Sequence, residues 1–131
     1  MIFVDSSAWF ASVVINDRHH ERAVRWINSQ NDLLLTTDYV VDETLTLLRA
    51  RGEMDHALRM GSLWFEKNIA EFYKIQNDDI ARAWVIFSTY KDKEWSFTDC
   101  TSKVVMEMRG VRKAFAFDVH FSQFGSMEVV P

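Results

Sequence analysis

Short apolar runs alternate with longer segments of helical periodicity along the whole chain. The runs have the length and the β-branched or aromatic content of strands, and they lie at residues 1–5, 33–37, 71–75, 114–117 and 127–130. Strands that alternate with helices indicate a mainly parallel sheet that is covered on both faces. The pattern therefore predicts a three-layer α/β/α sandwich, Rossmann-like in architecture, with about five strands.

The relative hydrophobicity of the runs also predicts their positions in the sheet. The first and fourth runs are the most apolar and are placed at the centre, whereas residues 71–75 alternate in polarity and fit an edge. Helical patterns cover residues 18–30, 39–51 and 54–68, and another begins at Asp78 or Asp79. In that last helix we interpret the apolar stripe as core packing; it consists of Ile80, Ala83, Trp84 and Phe87.

Composition narrows the class of protein. The 131 residues are 48% hydrophobic and 26% charged, with one Pro and four Gly, which fits one folded domain over residues 1–131 and excludes disordered and collagen-like chains. No apolar run approaches the ~20 residues of a membrane span, and Ile2-Phe3-Val4 follows Met1 without a basic leader. We therefore expect a cytoplasmic protein without a membrane partner. The sole cysteine, Cys100, forms neither an internal disulfide nor a zinc site alone and is interpreted as buried filler.

The segment 95–102 places an acid where a helix begins. Thr98 is a good N-cap residue, and the helical spacing that follows it ends at Gly110. Asp99 then lies in the first turn, where free backbone N–H groups and the helix dipole favour an ionised carboxylate. Taken alone, this is an ordinary capped helix start.

Three further acids are predicted to lie at the same rim of the sheet. Asp5 and Asp118 follow two of the strands, and Glu43 lies early in the buried helix after another strand. Ligands of parallel sheets bind beyond the carboxyl ends of the strands, where the strand order reverses. Each acid alone is compatible with a turn, a cap or an exposed helix position, but together with Asp99 they predict one acidic site.

Four neighbouring carboxylates repel one another and raise their pKa values unless divalent cations neutralise them. Oxygen ligands suit Mg²⁺ or Mn²⁺ better than zinc. One such ion can activate water for attack on a phosphodiester, and a second, if present, can stabilise the leaving oxygen. We therefore predict hydrolysis that leaves a 5′-phosphate and a 3′-hydroxyl. The net charge of −4 disfavours a surface that binds nucleic acid throughout, but it is compatible with such a nuclease.

Four motifs, in this order and spacing, resemble those of PIN-domain ribonucleases, and most of all the small VapC-type toxins of toxin–antitoxin pairs. They are Asp5-Ser6-Ser7, Glu43, Ser96-Phe97-Thr98-Asp99 and Asp118-Val119-His120-Phe121, and the resemblance spans essentially the whole chain. It implies a metal-dependent endoribonuclease that acts as a toxin, with an RNA substrate, a cognate antitoxin and a homodimeric state.

The resemblance also implies residue roles. The catalytic, metal-binding acids would be Asp5, Glu43, Asp99 and Asp118, and hydroxyl hydrogen bonds from Ser6 and Thr98 would support them. It implies that His120 and Phe121 pack rather than ligate. We assign no catalytic task to Cys100.

Several alternatives remain open. A housekeeping PIN nuclease and a PIN-like module without activity share these motifs. A phosphoacceptor receiver domain would instead need a second acid next to Asp5, after the first strand, and a Lys near the end of the fifth strand. Candidate phosphate ligands are Arg18, Arg22, Arg25, Arg49 and Arg51, and for each of them a solvated surface position is the alternative.

Several histidines, tryptophans and acids lie outside the four motifs. We interpret His19, His20 and His56 as surface residues. Helices that carry Trp26, Trp64 and Trp84 offer surplus apolar surface to a partner. Acids that could replace a site residue, but fit solvated positions better, are Asp38, Asp42, Asp92 and Glu94.

Overall fold

The computed structural model describes residues 1–131 and contains one parallel five-stranded sheet. The strands are β1 (Ile2–Val4), β2 (Leu34–Thr37), β3 (Glu71–Tyr73), β4 (Lys113–Phe115) and β5 (Glu128–Val130). The helices are α1 (Ser6–Val13), α2 (His20–Ser29), α3 (Asp38–Ala50), α4 (Met54–Phe65), α5 (Asn77–Thr89) and α6 (Phe97–Arg109), and a short 3-10 helix, η1 (Val119–Gln123), precedes β5. The predicted α/β sandwich with a parallel sheet is confirmed.

The strand order is β3-β2-β1-β4-β5, with β1 in the centre and β3 at an edge, as the apolar pattern predicted. Strand β1 pairs with β2 through Ile2 and Leu34, and with β4 through Phe3 and Ala114. The chain runs outward from β1 to β3 and then returns to β4 on the other side of β1. The strand order therefore reverses between β1 and β4, and a crevice at the carboxyl ends of these two strands is the expected ligand site.

The core lies on both faces of β1. Ile2, Phe3 and Val4 are at most 1% exposed. The Phe3 ring stacks on Phe121 of η1, with ring centroids 6.2 Å apart. Trp9 of α1 meets Trp64 of α4 edge-on, with ring centroids 5.4 Å apart. Because β1 is enclosed in this way, the residue at its carboxyl end is held in a fixed position.

The apolar stripe predicted for α5 is wrong at two positions. Trp84 is 59% exposed and Phe87 is 43% exposed. The buried residues of α5 are Asp79 and Ala83, and Ile80 and Ile86 pack against the core while partly buried. Trp84 and Phe87 instead stack on each other at 6.1 Å, and Phe87 meets Phe97 of α6 edge-on at 5.9 Å, at the surface.

The other two tryptophans offered as partner surface differ in exposure, since Trp64 is buried and Trp26 is half-buried. Trp64 is 2% exposed, so its apolar face is used in the core. Trp26 packs on Phe115 with ring centroids 4.4 Å apart. No helix is both long and apolar enough to cross a membrane.

Candidate active site

Asp5 ends β1 and caps α1 from a buried position. Its Oδ2 accepts hydrogen bonds from the Ser7 backbone N–H at 3.1 Å and from Ser7 Oγ at 2.6 Å. Ser7 Oγ in turn accepts the Phe117 N–H at 3.0 Å, which ties the β1 end to the segment after β4. The second oxygen, Asp5 Oδ1, is buried without any hydrogen-bond partner. Buried polar atoms nearly always have a partner, so this oxygen is a candidate ligand.

Glu43 reaches the same place from α3. Thr37, the last residue of β2, caps this helix by accepting the Val40 N–H at 3.1 Å. Glu43 follows one turn later, half-buried, and its Oε1 accepts a hydrogen bond from Ser6 Oγ. The predicted contact of the Ser6 hydroxyl with the acidic site is therefore present.

Asp99 lies in the first turn of α6, but the N-cap is Ser96 and not the predicted Thr98. Ser96 Oγ accepts the Asp99 N–H at 3.0 Å, and Asp99 Oδ2 accepts the Ser96 N–H at 3.0 Å. This reciprocal pair starts the helix two residues earlier than predicted. Thr98 is consequently inside the helix, where its carbonyl accepts the hydroxyls of Thr101 and Ser102, and its own hydroxyl makes no hydrogen bond.

Asp118 and His120 complete the cluster. Asp118 lies beyond the end of β4, where it caps η1 by accepting the His120 N–H at 2.9 Å. The same turn brings His120 Nδ1 to 3.2 Å from Asp118 Oδ1 and 3.2 Å from Asp99 Oδ2. Phe121 packs in the core with no exposed surface, as expected, whereas the His120 ring faces the acids. The capping turn explains the difference because it directs this ring toward the acids.

The four carboxylates share one electrostatic environment. Burial is the main cause that raises the pKa of Asp5, to about 7, and the charges of Asp99 and Glu43 raise it further. Burial also raises the pKa of Glu43, to which the charges of Asp99 and Asp118 add. The pKa of Asp99 is raised by burial and by Asp118, while hydrogen bonding to Ser96 and His120 opposes the rise. The structure thus brings together the acids that the sequence placed at one rim.

The residues present fit a hard divalent cation. Ligand atoms of Asp99, Asp118 and His120 lie within 4.8 Å of one another. Asp5 Oδ1 is an additional oxygen that lacks a donor, and the raised pKa values mean that positive charge would stabilise the ionised acids. A donor set dominated by carboxylates suits Mg²⁺ or Mn²⁺.

The comparison with known families agrees with the geometry. The family model of the PIN domain matches residues 2–126. The chain belongs to the PIN-domain family. This PIN domain is 34% identical over 131 residues to the 23S rRNA-specific endonuclease VapC20 of Mycobacterium tuberculosis, covering 100% of this chain and 99% of that protein. It is therefore a VapC-type endoribonuclease, as the four motifs predicted.

Two solved structures resemble this PIN domain. The crystal structure of Mycobacterium tuberculosis VapC20, described as a sarcin-ricin loop cleaving toxin, matches with a TM-score of 0.93 and 32% identity over 100% of both chains. FitAcB from Neisseria gonorrhoeae matches with a TM-score of 0.72 and 12% identity, covering 100% of this chain and 97% of the other, and shares the fold.

Ser7, Ser96 and His120 belong to the motifs found in the sequence, but no role at the site was predicted for Ser7 or Ser96, and only packing for His120. The Ser96-x-x-Asp99 spacing of a capping box was a readable signal for Ser96. Ser7 carried a weaker signal as the second serine after Asp5, and nothing in the sequence distinguished its contact with Phe117.

Other polar residues lie outside the site. Asp38 accepts the Ile75 N–H at 2.9 Å, so it connects α3 with the segment after β3. His19 and His20, interpreted from the sequence as surface residues, are half-buried. Cys100 is buried, and burial followed by the Asp99 charge raises the pKa of its thiol to about 11, which keeps it protonated at neutral pH.

Proposed function

We propose that this chain is the toxin of a toxin–antitoxin pair and that it cleaves 23S rRNA at a Mg²⁺ or Mn²⁺ site formed by Asp5, Glu43, Asp99 and Asp118. The observation that carries the proposal is a cluster of four interacting carboxylates in which one, Asp5, has a buried oxygen without a hydrogen-bond partner. A metal ion would give that oxygen a partner and neutralise the cluster.

The proposed roles follow from the contacts. Asp5 and Asp99 are held rigidly, by Ser7 and by the capping box, and offer preoriented ligand oxygens. Glu43 is held by Ser6 and is less buried, so it faces the side from which solvent and substrate enter. When bound, the ion supplies Lewis-acid activation of water and neutralises charge on the phosphodiester.

His120 has a separate role in this proposal. Its Nδ1 lies 3.2 Å from Asp99 Oδ2 and 3.2 Å from Asp118 Oδ1, and His120 opposes the rise in the pKa of Asp99 that burial causes. It therefore keeps the two ligands at a separation that a cation can enter.

The choice of 23S rRNA as the substrate is supported by the full-length likeness to VapC20, whose name specifies that RNA. The fold match to the structure of the sarcin-ricin loop cleaving toxin extends over the whole of both chains. A hairpin that copies the sarcin-ricin loop is therefore the first substrate to test.

The experiment incubates the purified protein with this hairpin and with intact ribosomes in Mg²⁺, Mn²⁺ or EDTA. Asp5→Asn and Asp99→Asn are compared with Asp78→Asn, which removes an exposed acid of α5. Cleavage is expected in both metals and absent in EDTA. The two site variants should be slower than the wild type by about 100-fold or more, the control should be unchanged, and the products should carry a 5′-phosphate. Cleavage that persists in EDTA or in both site variants would refute the metal site.

We place the proposed contacts with the antitoxin and with a second copy of this chain on the exposed surface of α5. This helix exposes Trp84 and Phe87 on one side, and Tyr90, which follows directly after the helix, lines the same cleft as these two residues. Such apolar surface is typical of a protein contact. Light scattering on the wild type and on Trp84→Glu tests for a dimer, which the substitution should weaken.

Expression of the chain alone should arrest growth, and co-expression with the product of the neighbouring reading frame should relieve the arrest. A protein that cleaves RNA without arresting growth would instead be a housekeeping nuclease.

A further inference from the structure

A cleft of about 280 Å³ opens directly beside Asp118. One wall is the start of α2, with His19 and Arg22, and the other is the segment from Ala116 to Val119 after β4. Because Asp118 lines this cleft and also belongs to the acidic cluster, the cleft adjoins the proposed site of the reaction.

His19 and Arg22 line one wall of the cleft, and Arg18 adjoins them through a hydrogen bond to His19. We call Arg18, His19 and Arg22 the basic shelf. The His19 ring stacks on Phe117 at 4.5 Å with an angle of 6° between the planes. The Arg22 guanidinium lies 5.7 Å from the centre of the same ring, and Arg18 Nε donates to His19 Nε2 at 3.1 Å.

The shelf is tied to the catalytic acids through Phe117. This residue precedes Asp118 in the chain, and its N–H donates to the Ser7 hydroxyl that also holds Asp5. The position of the shelf relative to the acids is therefore set by stacking and hydrogen bonds. Exposed arginines on an isolated helix have no such constraint.

Neither arginine of the shelf is paired with an Asp or Glu side chain. Arg22 donates to a main-chain oxygen of Pro131, but this contact is long, at 3.4 Å. By contrast, Arg25 on the next turn is paired with Glu21 at 3.6 Å. The nearest acid bonded to the shelf is Asp17, whose carboxylate accepts the His19 N–H at 2.9 Å.

We propose that the basic shelf binds phosphates of the RNA strand next to the scissile bond, on the Asp118 side of the acidic cluster. The inference rests on the proposed ribonuclease function. A polyanionic strand is repelled by a chain of net charge −4 with clustered acids, so its approach requires unpaired cations at the rim of the site. Arginine suits this task because its planar fork matches two phosphate oxygens.

Arg49 and Arg51, the other candidate phosphate ligands from the sequence, do not line the cleft beside Asp118. Arg51 lies 5.9 Å from the Phe10 ring, and Arg49 lines a separate cleft between α3 and α4. That cleft contains no residue of the acidic cluster. Arg49→Gln/Arg51→Gln is therefore a matched control, since it removes the same charge away from the site.

The test compares Arg18→Gln/Arg22→Gln with that control and with Arg18→Lys/Arg22→Lys. Cleavage kinetics on the sarcin-ricin hairpin should show KM raised about tenfold or more in the Gln pair with kcat within about twofold, because arginines that hold a neighbouring phosphate bind ground and transition states alike. The Lys pair should recover most of the affinity, and the control should resemble the wild type.

A binding measurement keeps the shelf testable apart from catalysis. In EDTA, the slope of log Kd against log salt for the same hairpin should be smaller in the Gln pair by about 0.7 for each phosphate that the two arginines neutralise in the wild type. Equal KM values and equal slopes in the Gln pair and the control would overturn the proposal. A wild type that binds with the expected slopes but never cleaves would refute the ribonuclease function and leave the shelf supported.

Discussion

Asp5 should make the metal-free protein less stable as the pH rises, and Asp5→Asn should remove most of that loss. Burial and the neighbouring acids raise the pKa of Asp5 from 3.8 to about 7 in the folded protein. The folded state therefore holds a proton that the unfolded chain releases near pH 4. The resulting stabilisation is complete below pH 4, falls as the pH rises, and is lost above the folded pKa.

The size of the effect follows from the two pKa values. Ionising Asp5 in the folded protein costs about 4 kcal/mol more than in the unfolded chain. That is a large part of the stability of an ordinary domain, which is about 5–15 kcal/mol. The amide of the Asp5→Asn variant would carry no charge, and its carbonyl oxygen can accept the two hydrogen bonds that Ser7 donates.

Urea unfolding followed by circular dichroism at pH 5 and pH 8, in EDTA and in Mg²⁺, measures the prediction. In EDTA the wild type should be several kcal/mol less stable at pH 8, and Asp5→Asn should retain only the smaller fall due to Glu43 and Asp99, whose pKa values are also raised. Mg²⁺ should restore the wild type at pH 8. A wild type whose stability in EDTA does not change with pH, or an equal fall in the variant and in Asp78→Asn, would refute this reasoning.

Four further substitutions test individual positions. Ser96→Ala should lower the free energy of unfolding by about 1 kcal/mol because α6 loses its N-cap. Thr98→Ala should have a clearly smaller effect. Urea unfolding measures both. Ser6→Ala should raise the pKa of Glu43 further, measured by carboxyl NMR titration, because the Ser6 hydroxyl lowers it; an unchanged value would exclude that contact in solution. Gly110→Ala should cost about 1 kcal/mol since this residue has φ +65°, and a thermal midpoint equal to that of the wild type would contradict it.

Periodicity and the rules of parallel sheets predicted the architecture because they depend on local pattern and simple topology. The first strand is central because it is short, wholly apolar and buried on both faces. The convergence of Asp5 and Asp99 followed from the same rules, since the ends of parallel strands and the starts of the following helices share one edge. These features depend on the order of the elements and not on the details of packing.

The errors lie where two local solutions have similar energies. Ser96 and Thr98 are both good N-cap residues, and the reciprocal hydrogen bond from Asp99 decides between them. The orientation of α5 depends on which side meets α6, so the sequence could not fix whether Trp84 is buried. The position of His120 depends on the turn that Asp118 caps, which is a tertiary consequence of where β4 ends.

Burial of an acid does not by itself identify a functional site, as a second buried carboxylate in this chain demonstrates. Asp79 is 2% exposed, like Asp5, and it also lies at the start of a helix. It accepts hydrogen bonds from the Tyr73 hydroxyl at 2.7 Å and the Gln76 N–H at 2.8 Å, and it leaves no buried oxygen without a partner. Asp5 differs in two ways: one of its oxygens lacks a donor, and other carboxylates surround it. These two differences, and not burial alone, support the proposed cation site at Asp5.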